Sequence, residues 1–245
     1  MTPPLFLLDV IPDGEWAVLD GPEGRHAATV KRLRPGEAVL LGDGRGGLAH
    51  AVVAATGRDV VELTLADRAT VPAPSPRVVV AQALVKGERG ELAVELATEA
   101  GVDEIVPWTA ARCVVRWADG ARGAKGLARW RATVREAAKQ ARRAWVPPVA
   151  EPVSTGALVS RVAAADCALV LHESATAALT EVALPADGEI LLVVGPEGGV
   201  TDDEMLLLTA AGATAVRLGP EVLRASTAAA VALGALGVLT ARWSP

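Results

Sequence analysis

The first 70 residues alternate apolar and polar side chains over short runs, the period of half-buried strands. Leu5–Val10, Glu37–Leu41, Leu48–Ala54 and Val60–Leu65 are predicted strands, with a short helix over Arg25–Leu33. Prolines then interrupt the patterning in VPAPSPR, Val71 to Arg77. Beyond them the rhythm changes. Short continuous apolar runs at Val78–Ala83, Glu104–Pro107, Ala168–Leu171, Glu189–Val194 and Ala215–Leu218 alternate with helical periodicity over Glu88–Ala100, Ala128–Trp145, Asp202–Ala211 and Thr227–Ala241. Strands apolar on both faces and separated by helices predict a parallel α/β sheet. The expected organisation is a strand-rich domain over residues 1–71, a Pro-rich linker over 72–76 and an α/β domain over 77–245.

Half of the 245 residues are hydrophobic, which excludes a disordered chain, but aromatic side chains make up only 3%. Rows of Tyr and Phe for base stacking are therefore not available. Two cysteines, Cys113 and Cys167, with three scattered histidines, supply neither a disulfide framework nor a metal site. The N-terminus lacks the basic and apolar regions of a signal peptide, and the apolar run Ala228–Leu239 is too short to span a bilayer. A cytoplasmic protein is expected.

Net charge is −5, which excludes an indiscriminate polycation. By segment the picture differs. Residues 1–72 and 148–245 are acidic, whereas Arg112 to Arg143 holds ten basic residues against Asp119 and Glu136. Arg131, Arg135, Lys139 and Arg142 fall on one helical stripe beside an apolar stripe of Trp130, Val134, Ala138, Ala141 and Trp145. A docked helix with an exposed basic face suits nucleic-acid phosphate, and Arg predominates, as forked phosphate recognition favours.

Three glycine-rich stretches carry candidate chemistry. Gly42-Asp-Gly44-Arg-Gly-Gly47 matches the dinucleotide fingerprint formally, but a strand-like segment follows where the fingerprint requires a helix, so a hairpin turn is the better reading. In EILLVVGPEGGVTDDEM a buried strand runs into Gly195-Pro196-Glu197-Gly198-Gly199, and Thr201 with Glu204 forms a capping box. Glycines between a strand end and a helix start let the backbone approach a ligand closely. Asp202, Asp203 and Glu204 would oppose a phosphate there, which favours a ligand without phosphate, such as the sulfonium nucleoside S-adenosylmethionine. The third stretch, Gly219-Pro220-Glu221-Val222-Leu223-Arg224, follows the strand Val216–Leu218, and Ser226 or Thr227 is expected to cap an Ala/Gly-rich helix apolar nearly all round. Arg224 between loop and helix is either a structural ion-pair partner or a substrate contact. His172 ends the apolar strand ALVLH, without a third group to complete a triad.

Five blocks together, HAATVKRLRPGEAVLLGDGRG, KGERGELAVELATEAGVDEIVPWTAARCVVR, RWRATVREAAKQARR, VVGPEGGVTDDE and LGPEVLRASTAAAVAL, resemble the RsmE family. These are bacterial 16S ribosomal RNA (uracil-N3)-methyltransferases of the knotted SPOUT superfamily. The resemblance implies an N-terminal PUA-like β-barrel that binds RNA, a SPOUT α/β domain with a C-terminal trefoil knot, and a homodimer acting on 16S rRNA. It implies S-adenosylmethionine as cofactor, bound by Leu171, His172, Gly195, Pro196, Glu197, Gly198, Gly199, Leu218, Gly219, Leu223, Arg224 and Thr227. Arg224 is the expected catalytic residue. Arg25, Lys31, Arg32, Arg34, Arg112, Arg116, Arg131, Arg135, Lys139, Arg142 and Arg143 are the expected RNA contacts. The chain departs from the family pattern at Gly90, where Met is common, at Ser226, where an acid is common, and at Gln140-Ala-Arg142-Arg143, where the family has Gln-Ser-x-Arg. Alternatives are a SPOUT ribose 2′-O-methyltransferase and a non-catalytic RNA-binding assembly factor.

Overall fold

A computed structural model describes residues 2–117 and 120–244; Asp119 lies outside them. By contacts the chain divides into two compact units, residues 1–73 with 138–146, and residues 74–137 with 147–245.

The first unit holds five strands, β1 (Leu5–Leu7), β2 (Trp16–Leu19), β3 (Ala38–Gly42), β4 (Gly47–Thr56) and β5 (Val61–Thr70), in the order β1-β3-β4-β5-β2. β1 runs parallel to β3 and the other pairs are antiparallel. Two register shifts between β4 and β5 bend that ribbon, and one face closes over Phe6, Leu19, Val39, Leu41, Val53 and Leu63. Among the described residues no pairing joins β1 to β2, so the expected barrel is an open half-barrel. β2 escapes the binary pattern because Trp16 and Val18, 60% and 49% exposed, put apolar side chains on both faces. The expected helix over Arg25–Leu33 is instead α1 (Gly21–Arg25) continuing into one π-helical turn, His26–Val30. The Gly42–Gly47 segment is a hairpin turn, its Asp43 Oδ1 accepting from the Arg45 and Gly47 amides at 2.6 and 2.9 Å.

In the second unit the strands β6 (Arg77–Ala83), β7 (Glu104–Thr109), β8 (Val153–Ser154), β9 (Cys167–Leu171), β10 (Glu189–Val194) and β11 (Thr214–Val216) form a parallel sheet in the order β11-β9-β10-β6-β7-β8. The intervening helices are α2 (Arg89–Glu99), α3 (Ala121–Gln140), α4 (Thr155–Ala164), α5 (Asp202–Ala210) and α6 (Ala228–Leu239). β9, β10 and β6 lie side by side at the centre, so their C-terminal ends open onto one edge, where such sheets place ligands. α4 was not expected. Only Leu158 and Val162 of it are buried, too few to write a periodic signature.

α3 begins seven residues earlier than expected and stops at Gln140, before Arg142 takes a left-handed φ of 53°. Trp130, Val134 and Ala138 are buried as the stripe requires, but Ala141 is exposed. Gly90, the departure in KGERGE, faces the Trp130 indole. A Cβ there would meet Nε1 at 3.2 Å, so Trp130 occupies the room a longer side chain would take. The predicted all-round burial of α6 holds on one side only, since Val231, Val238 and Leu239 are exposed.

Candidate cofactor and target site

The glycine loop is positioned by the best-specified local sequence in the chain. β10 is buried from Ile190 to Val194, and its register with β6 and β9 fixes where Gly195 emerges. Thr201 then caps α5, its hydroxyl accepting from the Glu204 amide at 3.2 Å while Glu204 Oε2 accepts from the Thr201 amide at 3.1 Å. Gly195 cannot carry a side chain without crowding, because a Cβ would lie 2.8 Å from Val200 Cγ2.

This loop forms one wall of a cavity of about 570 Å³, within the size range of small-molecule sites. Leu171, His172, Gly195, Pro196, Glu197, Gly198, Gly199, Leu223 and Arg224 all line it. Leu218 and Gly219 line a smaller adjoining recess of about 70 Å³ that shares Leu171, His172 and Leu223. Thr227 lines neither; its hydroxyl donates to the Arg224 carbonyl at 3.2 Å. Nor does the expected cap of α6 form, since Thr227 makes no side-chain cap bond and Ser226 is buried in the cavity wall.

Asp202, Asp203 and Glu204 do not face a ligand together, contrary to the expectation from their sequence positions. Asp202 lines the cavity, but Asp203 does not, and Glu204 is folded into the protein with only 4% exposure. Its carboxylate accepts from the Ala111 amide, the Thr155 hydroxyl and both donors of Thr201. Burial pushes the Glu204 pKa up, and these hydrogen bonds outweigh it, holding the group below the usual carboxylate range. Glu173 and Glu197 take the place of the missing acids. Three guanidiniums, Arg89, Arg112 and Arg224, line the same cavity. Arg224 is exposed, and no carboxylate pairs with it among the described residues, so the ion-pair reading falls away. His172 Nδ1 lies 2.9 Å from the Ser174 hydroxyl and accepts from the Ser174 amide at 3.3 Å, both contacts within one exposed turn two residues long.

The basic residues separate into distinct groups. Arg25 ends α1 and Lys31, Arg32 and Arg34 follow the π-helical turn; all four are exposed, with Arg32 at a φ of 55°. Arg112 and Arg116 follow β7; Arg112 reaches the Gly198 carbonyl at 2.9 Å and Arg116 the Ala111 carbonyl at 3.4 Å. Arg131 and Arg135 are exposed on α3, and Arg131 also bonds Val149 and Glu151. Arg142 donates to the Pro3 and Thr2 carbonyls, and Arg143 is half-buried. Lys139 does not belong to an exposed stripe. It is 7% exposed and pairs with Glu23 at 3.0 Å, because the last turn of α3 packs within the first unit. Sequence reasoning missed Arg89 on the cavity wall. The signal was present, since Arg89 follows the C-terminal end of β6 just as the glycine loop follows β10.

The donor set suits S-adenosylmethionine. Side-chain-free backbone would allow close approach, the carboxylates would favour a positive sulfur, and the guanidiniums could answer a carboxylate or a phosphate.

A parallel sheet with a glycine-loop cavity, in a chain that also carries a five-stranded half-barrel, fits the class of RNA methyltransferases. The RNA methyltransferase domain family matches residues 72–237, and the RNA methyltransferase PUA domain family matches residues 19–65. A ribosomal RNA small subunit methyltransferase E from Mycobacterium bovis is 58% identical over 244 residues, covering 98% of this chain and 93% of its own. The chain belongs to the ribosomal RNA small subunit methyltransferase E family. Two solved structures have the same fold. One, a methyltransferase from Legionella pneumophila in complex with bound S-adenosylmethionine, has a TM-score of 0.87 at 29% identity and covers 98% of this chain and 99% of its own. The other, a family member from Neisseria gonorrhoeae bound to S-adenosylmethionine, has a TM-score of 0.86 at 29% identity and covers 98% of each chain.

Proposed function

We propose that the chain methylates one uridine of 16S rRNA at N3, using S-adenosylmethionine bound against the glycine loop. The observation that carries this reading is the meeting of the Gly195–Gly199 loop at one cavity with Arg224, which has no carboxylate partner among the described residues. Residues 1–71 serve as the PUA-like RNA-binding domain and residues 77–245 as the methyltransferase domain.

S-adenosylmethionine supplies, when bound, a methyl group on a positively charged sulfur. The remaining work falls to the chain. Leu171, Leu223 and the backbone of the glycine loop hold the nucleoside, with Leu218 and Gly219 in the adjoining recess. Carboxylates at Glu173, Glu197 and Asp202 favour positive charge. Uridine N3 normally carries a proton, so its nucleophilic form spreads negative charge onto O2 and O4. A guanidinium does not accept protons at neutral pH, so Arg224 acts by stabilising that charge and orienting the ring. A stacked or paired uridine hides N3, and the base must leave its stack to enter the cavity. Arg112, Arg116, Arg131 and the N-terminal basic residues hold the surrounding phosphates.

A homodimer is supported by the exposed apolar face of α6 at Val231, Val238 and Leu239, which one chain leaves uncovered. The C-terminal knot of the superfamily and a cytoplasmic encounter with the small ribosomal subunit complete the reading. No helix among the described residues is long and apolar enough to cross a membrane.

Calorimetry with S-adenosylmethionine, followed by methyl incorporation into unmodified small subunits and naked rRNA, tests the proposal. Binding and incorporation are expected. Absence of cofactor binding would favour a non-catalytic RNA-binding factor.

A further inference from the structure

The glycine loop is fastened to a neighbouring loop by a carboxylate that its own helix does not fully need. In a simple capping box the acidic residue answers only the N-cap amide. Glu204 does that with Oε2, at 3.1 Å from the Thr201 nitrogen. Its Oε1 leaves the helix and accepts from the Ala111 amide at 2.8 Å and the Thr155 hydroxyl at 2.9 Å. Thr155 in turn accepts from Trp108 Nε1 at 3.2 Å, on the strand that leads into the Ala111 loop. One buried carboxylate thus joins α4, α5 and the loop after β7.

Ala111 immediately precedes Arg112, whose side chain crosses the glycine loop and donates to the Gly198 carbonyl at 2.9 Å. The crossing is close at Gly198, where a Cβ would stand 3.2 Å from Arg112 Cβ. Arg112 is therefore held at two points, through the neighbouring Ala111 amide on Glu204 and through its own head on Gly198. A guanidinium has five N–H donors, so the bond to Gly198 leaves others for an anion at the cavity mouth.

We propose that Glu204 is a positioning residue that sets Arg112 over the glycine loop to grip the RNA phosphate next to the target base. The inference rests on the reading of this cavity as an RNA methylation site. It requires a carboxylate in particular. All four partners of Glu204 donate, so a glutamine would turn an NH2 group toward donors and leave the Ala111 or Thr201 amide unanswered.

The test is a double-mutant cycle read by RNA affinity rather than turnover, without S-adenosylmethionine. Fluorescence anisotropy of a labelled single-stranded oligouridylate is measured over a range of salt for wild type, Arg112→Ala, Glu204→Gln and the double variant. Losing one phosphate contact lowers the log–log salt slope by about 0.7. Arg112→Ala and Glu204→Gln are each expected to show that loss, and the double variant no more than Arg112→Ala alone. A wild-type slope in Glu204→Gln, additive losses in the double variant, or a wild-type slope in Arg112→Ala overturns the proposal. Should Glu204→Gln not fold, Thr155→Val removes one donor from the same carboxylate. Its slope is expected to shift the same way, and an unchanged slope overturns the proposal equally. Failure to bind S-adenosylmethionine would sink the proposed function while leaving this cycle readable.

Discussion

The two strand-to-helix loops at the cavity begin with the same three letters, Gly195-Pro196-Glu197 and Gly219-Pro220-Glu221, yet they are built to opposite ends. In the first, Pro196 and Val200 are buried, Thr201 caps the helix, Glu204 locks the cap, and Glu197 accepts from the Lys86 amide at 3.2 Å. In the second, Pro220, Glu221, Val222 and Arg224 are exposed, and the following helix begins without a side-chain cap. The first loop is a preformed platform whose shape precedes any ligand. The second leaves its charge and apolar surface open to solvent. Pre-organisation suits the group that must be held, and exposure suits the group that must meet an incoming base.

Substitutions can break this contrast, beginning with the open loop. Arg224→Ala should lower methyl transfer by about 100- to 1,000-fold, the scale for losing one donor to developing charge, with calorimetric affinity for S-adenosylmethionine little changed. Equal loss of both would make Arg224 a cofactor contact alone. Gly195→Ala attacks the platform. The added methyl meets Val200 Cγ2 and should cost about 1–3 kcal/mol of stability in denaturant unfolding, together with a weaker cofactor affinity.

Caps give the cleaner comparison. Thr201→Ala removes a cap that forms and should cost about 1 kcal/mol. Thr227→Ala removes one that does not and should stay within about 0.5 kcal/mol. Similar losses at both sites would mean the two loops are equally fastened. pH sharpens the point. The Glu204 pKa is lower in the folded chain than in the unfolded one, so its contribution is complete above the unfolded value and fades as pH falls through the folded value. Thermal unfolding of Glu204→Gln should therefore depend less on pH between neutral and acidic solution than that of wild type.

The same contrast explains what could be read from the chain alone. β10, the capping box and the start of α5 were legible because strand burial, glycine spacing and the Thr-x-x-Glu cap are local and agree. The opposite holds for Lys139. Its helical spacing put it in line with Arg131 and Arg135, and only its pairing with Glu23, distant in sequence, makes it a buried group. Glu204 was read as a charge near the ligand because its partners Ala111 and Thr155 lie about 93 and 49 positions away. β2 was lost because Trp16 and Val18 occupy the solvent face. Long-range tertiary partners, not local propensity, decided each of these.

The most direct measurement is the identity of the methylated nucleoside. Small ribosomal subunits lacking the modification are treated with the wild-type chain or Arg224→Ala and S-adenosylmethionine, and the rRNA is digested to nucleosides for mass spectrometry. The account predicts N3-methyluridine from the wild type and a loss of it from Arg224→Ala. A methyl on the ribose 2′-oxygen, or undiminished N3-methyluridine from Arg224→Ala, would contradict it.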